Sequence, residues 1–187
     1  MKNLKFFIVA LMLFTQGAAY AVGLDMGVEF ALSQANFKLK DSGVSLNNEL
    51  GYGVGVSAKV DLSVVKVGPE LWYYRNTATN DDGKLKSNSI DLPVVVSYNI
   101  LGPLAIEAGP SFSLLSSGKF EYDGGTMDLN RIRPEMGYVV GARVTLFKLL
   151  MVSGRFNGCF SRQDVDFDGG TYGMRYNAWN VAVGVKF

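Results

Sequence analysis

The stretch that decides the fold is Leu50-Gly51-Tyr52-Gly53-Val54-Gly55-Val56-Ser57-Ala58-Lys59-Val60-Asp61-Leu62. Apolar side chains occupy every second position, and the positions between them hold glycine, serine, lysine or aspartate. Successive side chains of a β-strand point to opposite faces of its sheet, so this period of two predicts a strand with one apolar face and one small or charged face.

The same alternation recurs along the chain and places eight strands. We assign them to residues 23–38, 50–61, 64–75, 89–100, 104–115, 132–146, 150–161 and 177–187. Tight connections near 62–63, 101–103 and 147–149 alternate with long polar connections at 39–49, 76–88, 116–131 and 162–176. Barrels of the outer membrane have this asymmetry between short periplasmic turns and longer external loops. The sequence therefore predicts an all-β fold, an eight-stranded antiparallel up-and-down transmembrane β-barrel.

The placement of charges tells a membrane barrel from a soluble lipocalin-like barrel, whose alternation is the same with its faces exchanged. A charge that faces lipid costs about 2–4 kcal/mol at the bilayer midplane, so a charge-free strand face indicates contact with lipid. The apolar face of each strand core is free of charge, and the opposite face carries a predicted interior polar network: Glu29, Lys59, Lys66, Glu70, Asp91, Glu107, Glu135, Arg143 and Arg155, with Arg133 and Lys186 on the same parity. Side chains fill the interior of an eight-stranded barrel, which favours a mutually neutralising plug over an open pore.

Glu107 and Arg143 are the predicted neighbours within this network. They lie on two strands joined by a long connection centred near residue 125. Positions whose numbers add to about 250 then face each other across the hairpin, which pairs residue 107 with residue 143.

The N-terminus has the pattern of a cleaved signal peptide, residues 1–21. Lys2 and Lys5 precede a nine-residue apolar run, and the small-residue site Ala19-Tyr20-Ala21 follows it. A spanning helix needs about 20 apolar residues, so the run is too short to anchor the chain. Residues 22–187 then form the outer-membrane barrel domain.

Composition excludes several classes of function. The chain has no histidine, which removes Ser-His-Asp hydrolysis and imidazole base chemistry, and its 18 Lys and Arg against 17 Asp and Glu leave no basic excess for nucleic acid. The acidic runs at 80–83 and 164–169 resemble fragments of calcium loops but lack the full ligand spacing. We therefore expect no catalytic residue, no cofactor, no metal and no nucleic-acid partner.

Aromatic residues near the strand ends have two interpretations. Tyr122, Tyr172, Tyr176 and Trp72 could dock a surface ligand, or they could join Tyr52, Tyr98, Phe160 and Trp179 in the aromatic girdle at the lipid headgroups, which is the favoured interpretation. Val64 and Trp72 share the parity of Lys66 and Glu70, so a bulge in the third strand would change which side chains face lipid.

Four short motifs resemble the PorT-like outer-membrane β-barrels, small eight-stranded barrels of Gram-negative bacteria. These motifs are Gly51-Tyr52-Gly53-Val54-Gly55, Ile90-Asp91-Leu92-Pro93, Glu107-Ala108-Gly109-Pro110 and Val183-Gly184-Val185-Lys186-Phe187. The resemblance implies a cell outer membrane location and insertion by the barrel-assembly machinery, which reads a terminal aromatic residue such as Phe187 as its assembly signal. Some members of that family are linked to protein secretion.

The sequence thus predicts an integral outer-membrane barrel, expected to be monomeric. Its function is structural, or it binds a surface partner through its long external loops. The alternative is a narrow channel or a component of a protein-secretion apparatus.

Overall fold

The computed structural model describes residues 23–39, 47–80, 83–122, 125–130, 136–160, 163–167 and 170–187. The predicted signal peptide lies outside these ranges. Within them, no helix is long and apolar enough to cross a membrane. The regular elements of the described residues are β-strands.

Within the described ranges, eleven strands form a single antiparallel sheet. They are β1 Leu24–Leu39, β2 Asn47–Asn48, β3 Leu50–Asp61, β4 Val65–Asn80, β5 Gly83–Leu101, β6 Leu104–Tyr122, β7 Gly125–Asn130, β8 Met136–Leu146, β9 Leu150–Cys159, β10 Gln163–Phe167 and β11 Gly170–Lys186. The eight long strands pair in the order β1, β3, β4, β5, β6, β8, β9, β11, and β11 pairs with β1 to close the barrel. The short strands pair alongside long ones: β2 with β4, β7 with β6, and β10 with β11. The predicted eight-stranded antiparallel barrel is confirmed.

Strand tilt follows from the register. A path of directly paired residues that starts at Val65 of β4 runs through β5, β6, β8, β9, β11, β1 and β3 and returns to β4 at Arg75. The path therefore gains ten residues in one circuit of eight strands, which corresponds to a strand tilt of about 40° from the barrel axis. We call the end with the connections 62–64, 102–103 and 147–149 the turn end, and the opposite end the loop end.

The strands reach further at the loop end than the alternation predicts. Residues 76–88 were expected to form a long loop, yet β4 continues to Asn80 and β5 begins at Gly83. β6 likewise continues to Tyr122 instead of ending at 115. Outward positions there, such as Asn88 and Lys119, are polar, so the apolar period of two disappears although the backbone pairing continues.

The two faces of the barrel wall differ as the charges predicted. On β1, Phe30 and Leu32 are 47% and 48% exposed on the outer face, whereas Ala31 and Ser33 are fully buried inside. The other long strands repeat this alternation in the belt between the two ends.

The possible bulge in the third long strand is absent from the register of β4, which keeps one register with β3 and one with β5 along its described pairs. An irregularity lies instead in β6, where Leu115 pairs with Ile90 but Ser113 pairs with Asp91. The extra residue, Leu114, leaves two consecutive leucines on the outer surface of the barrel.

Candidate functional site

The glycines of β3 make room for aromatic rings inside the barrel. Gly53 pairs with Tyr74 and Gly55 pairs with Trp72, and a Cβ atom at either glycine would overlap the facing ring. The two rings stack with centroids 5.4 Å apart and are nearly parallel. The interpretation of Trp72 as a girdle or surface residue is therefore wrong, because its side chain is 2% exposed and packs in the lumen.

Six charged side chains meet in the middle of the lumen, and we call them the ion cluster. They are Glu29, Lys59, Glu70, Glu107, Arg143 and Arg155, each on a different strand and each at most 7% exposed. Three carboxylates face three cations, so the cluster is formally neutral.

Glu107 is held by all three cations of the ion cluster. Its carboxylate oxygens lie 2.6 Å from Lys59 Nζ, 2.9 Å from Arg143 Nε and 2.6 Å from Arg155 Nη2. Ser97 adds a bridge, since its hydroxyl donates to Glu107 at 2.9 Å and accepts from Lys59 at 2.9 Å.

Glu70 and Glu29 complete the ion cluster. Arg155 donates two hydrogen bonds to the Glu70 carboxylate, from Nη1 to Oε2 at 2.5 Å and from Nη2 to Oε1 at 3.1 Å. Trp72 Nε1 also donates to Glu70 Oε2, at 2.8 Å. The Arg155 guanidinium also lies 5.7 Å from the centre of the Trp72 ring, within range of a cation–π contact. Glu29 accepts from Arg143 Nη2 at 2.7 Å.

The physical role of this arrangement follows from desolvation. Moving a charge out of water costs several kcal/mol, and the cost is recovered only where partners and hydrogen bonds meet each charge. Because each carboxylate of the ion cluster contacts at least two cations, loss of one member leaves the others with an uncompensated charge.

The predicted pair Glu107 and Arg143 is in contact, but the predicted register is wrong by two residues. Glu107 pairs with Gly141 and Arg143 pairs with Ala105, so facing positions add to 248 rather than 250. The long arginine side chain spans the offset along the inner wall.

Lys66 belongs to a second group at the turn end rather than to the ion cluster. Its ammonium contacts Asp25, lies 3.2 Å from Asp61 and is partly exposed, while Lys186 lies 2.8 Å from Asp25. Asp61 Oδ1 also accepts from the backbone amide of Ser63 at 2.9 Å. That hydrogen bond, followed by the one from Lys66, holds the pKa of Asp61 below its usual value.

Asp91 lies between the ion cluster and the loop end. It is 3% exposed and lines a small cavity of about 20 Å³ together with serines of β6, Asn157, Cys159 and Tyr176. Tyr176 was expected at the outer rim and is instead buried inside the barrel. Glu135 and Arg133 lie outside the described residues, and so do the side chains of Tyr122 and Tyr172.

A larger recess of about 60 Å³ lies between the ion cluster and the turn end. Lys59, Glu107 and Arg143 form its inner wall, and Asp25, Lys66 and Lys186 lie at its rim. Among the residues that the structure describes, no group of three or more Cys, Asp or Glu side chains is arranged to hold a metal ion.

A sequence comparison identifies the family of this chain. The family model for the outer membrane protein beta-barrel domain matches residues 6–187. The chain belongs to this family. It is an integral protein of the Gram-negative outer membrane, in which the turn end is periplasmic and the loop end extracellular.

Several solved structures have the same fold as this outer-membrane barrel. Neisserial surface protein A (NspA) has a TM-score of 0.58 at 16% identity, over 88% of this chain and 97% of that chain. Ail of Yersinia pestis has a TM-score of 0.55 at 12% identity, over 87% and 98%. A major outer membrane protein from Thermus thermophilus has a TM-score of 0.52 at 15% identity, over 88% and 99%. No curated protein matches the chain.

The aromatic residues predicted for the girdle lie on the outside of this outer-membrane barrel. Tyr52, Tyr98, Phe160 and Trp179 are 42–65% exposed. Tyr98 lies near the turn end, where it pairs with Val65, and the other three lie towards the loop end. Tyr73 lies diagonally from Tyr52, which pairs with Arg75, and its hydroxyl donates to Asn88 at 3.0 Å. Such positions suit rings with one apolar and one polar end.

Phe187 lies at the periplasmic end of the seam between β11 and β1. Its amide donates to the carbonyl of Met26 at 3.0 Å, and its ring is 67% exposed on the outside. The role of Phe187 as an assembly signal remains a prediction.

Proposed function

We propose that this outer-membrane barrel is plugged by its ion cluster and acts as a structural or surface-binding protein. The observation that supports the plug is the direct contact of six buried charges from six strands across the lumen, with Arg155 joining Glu70 to Glu107. An ion could pass only if these contacts separated, which would expose uncompensated charges at low dielectric.

The extracellular ends support a role at the cell surface. A tilted strand needs about 9–11 residues to cross the bilayer, whereas β5 and β6 have 19 residues each. The extra length lies at the loop end and is widened by β7 and β10. A partner would bind this extension, with the plugged barrel as its membrane anchor. We propose no catalytic role, and we propose that the protein is monomeric.

The first experiment measures conductance in planar bilayers. The wild-type protein should give no steady conductance. The double variant Glu70→Ser with Arg155→Ser keeps the ion cluster neutral but shortens two side chains, and it should conduct. Asp61→Ser with Lys66→Ser at the periplasmic rim is the matched control and should remain closed. Steady conductance of the wild-type protein would refute the plug.

A narrow channel is the second candidate, and the polar cavities on both sides of the ion cluster favour it. The two candidates differ in the same experiment, since a channel would show brief wild-type openings whose frequency changes when Arg155 is replaced.

We also propose that the protein belongs to the PorT-like group within its family, on the motifs quoted above, which would connect it with protein secretion. Crosslinking in intact envelopes followed by affinity purification tests this. Recovery of secretion components, and their loss when residues 84–86 and 119–121 at the extracellular end are changed, would support the connection. Recovery of the barrel-assembly machinery alone would argue against it.

A further inference from the structure

A row of buried polar side chains crosses the inner wall from the ion cluster to the loop end, and we call it the polar ramp. Its members lie on neighbouring strands and are at most 3% exposed: Arg155 on β9, Asn180 on β11, Ser33 on β1, Asn76 on β4 and Ser87 on β5. Asn180 pairs with both Arg155 and Ser33, and Asn76 pairs with Ser87. Gly51 of β3 lies between Ser33 and Asn76, where a Cβ atom would overlap Asn76 Oδ1.

The polar ramp climbs along the barrel axis because the strands are tilted. Neighbouring strands lie about 4.8 Å apart, so at a tilt of about 40° each step across the wall rises about 3 Å. The five steps from Arg155 to Ser87 run in the direction in which the register moves toward the loop end. The ramp therefore rises about 15 Å, from the ion cluster to a level above the apolar belt.

The side chains of the polar ramp have polar atoms without a hydrogen-bond partner in the part of the chain that the structure describes. These atoms are Ser33 Oγ, Ser87 Oγ, Nδ2 and Oδ1 of Asn76, Nδ2 and Oδ1 of Asn180, and Arg155 Nε. Serines at the level of the ion cluster differ, since Ser97 donates to Glu107 at 2.9 Å and Ser153 donates to Glu29 at 3.2 Å. A buried polar group that loses its hydration without gaining a partner destabilises the fold, so the ramp requires a bound polar ligand.

The wall formed by β6, β8 and β9 has the same feature at this height. Ser113 Oγ and Asn157 Oδ1 are buried without a hydrogen-bond partner among the described residues, and both side chains line the cavity of about 20 Å³ beside Asp91. A water molecule needs about 10–15 Å³ of such space. The extracellular half of the lumen therefore has both room for water and polar atoms that would bind it.

We propose that the polar ramp binds a file of water molecules that connects the extracellular solvent with the ion cluster. Hydroxyl and carboxamide groups offer both donors and acceptors, and water is the small neutral ligand that matches both. The ramp is continuous, so each bound water can contact the next one as well as the wall. The file ends at Arg155 and gives water a route to the ion cluster but none across it. The proposal does not depend on the plug.

The test measures hydrogen–deuterium exchange of the Trp72 indole proton, which Nε1 donates to Glu70 beside Arg155. The ¹⁵N-labelled barrel is refolded in detergent micelles, transferred to D2O and followed by NMR. The chain has two tryptophans, so the variant Trp179→Phe identifies the Trp72 signal. In the wild-type protein this proton should exchange at least about tenfold faster than the slowest backbone amides of the belt, which exchange only when the barrel unfolds.

Two variants determine the side from which water arrives. Asn76→Leu with Asn180→Leu keeps the branched shape of both side chains but removes their polar atoms, and it should slow exchange of the Trp72 indole proton at least about tenfold. Asn99→Leu is the matched control, because it makes the same substitution in the periplasmic recess and should leave the exchange rate unchanged. Heat-dependent gel mobility confirms that each variant is folded.

The wild-type measurement alone can overturn the proposal, since exchange of the Trp72 indole proton as slow as that of the slowest belt amides would show a dry ramp. An unchanged exchange rate in the folded double variant would also overturn it. Slower exchange in Asn99→Leu without slower exchange in the double variant would show that water arrives through the periplasmic recess instead.

Discussion

Replacing Glu107 and Arg143 separately and together tests whether the ion cluster acts as a neutral unit. Arg143 contacts Glu107 at 2.9 Å and Glu29 at 2.7 Å, and both members of the pair are buried. Glu107→Leu leaves three cations against two carboxylates, and Arg143→Met leaves the reverse. The double variant restores balance, with Glu29 and Glu70 against Lys59 and Arg155.

The expected magnitudes differ by more than experimental error. Removing one partner from a buried pair costs about 3–5 kcal/mol, because the other charge is left uncompensated at low dielectric. Replacing both partners by apolar residues of similar volume is close to neutral. We therefore expect each single variant to lower the free energy of unfolding by about 3–5 kcal/mol, the double variant to lose less than either, and the coupling energy to be at least about 2 kcal/mol.

Equilibrium unfolding in urea, measured by tryptophan fluorescence of barrels folded in lipid vesicles, provides the four free energies. Asp61→Leu and Lys66→Met at the periplasmic rim form the control cycle, because that pair is partly exposed and its coupling should not exceed about 1 kcal/mol. Losses that simply add in the Glu107 and Arg143 cycle would show that the two charges are solvated separately. That result would refute both the coupling and the plug.

Three other changes have defined outcomes. Deleting Phe187 should lower the amount of barrel inserted in cells, while refolding of the purified protein in detergent remains mostly intact. Unchanged insertion would show that Phe187 only contacts lipid and has no role in assembly. Gly55→Ala should destabilise the barrel by about 1–3 kcal/mol in urea because its Cβ overlaps the Trp72 ring, whereas Gly154→Ala meets open space and should have little effect; equal effects would contradict this packing. The folded pKa of Asp61 lies below the usual 3.8. Its contribution to the free energy of unfolding is therefore present above pH 3.8 and is lost as pH falls through the lowered pKa. Asp61→Asn should weaken the pH dependence of the free energy of unfolding below about pH 5. An unchanged pH dependence would show that Asp61 does not cause it.

Much of the fold could be predicted from the sequence because the bilayer imposes a strict pattern. A lipid-facing position tolerates almost no charge, so alternation alone located the belt of each strand and the inward side of Glu70, Glu107 and Arg155. Water imposes no such pattern above the membrane. The continuations of β4 to Asn80 and of β6 to Tyr122 therefore lack the apolar alternation from which a strand could be predicted.

The partners inside the lumen were harder to predict than its members. Assigning Glu107 to Arg143 required a register, and a two-residue error is small in sequence but moves the facing residue from Arg143 to Gly141. Trp72 was misassigned because an aromatic residue near a strand end also suits the girdle. The signal that could have placed it inside is the spacing of Gly53 and Gly55, two positions without side chains that need a bulky neighbour on the next strand.

The order in which the six members of the ion cluster occur along the chain bears on quality control during biogenesis. Added from the N-terminus, their running charge is zero after Lys59, falls to minus two after Glu107, and returns to zero only with Arg155 on β9. Glu29 and Arg143 are 114 residues apart and meet only when the sheet has curled shut. A chain truncated after β6 or β8 therefore carries uncompensated acid on the face it must enclose. Electroneutrality of the ion cluster distinguishes a complete barrel from an unfinished one, and it does so through charge alone.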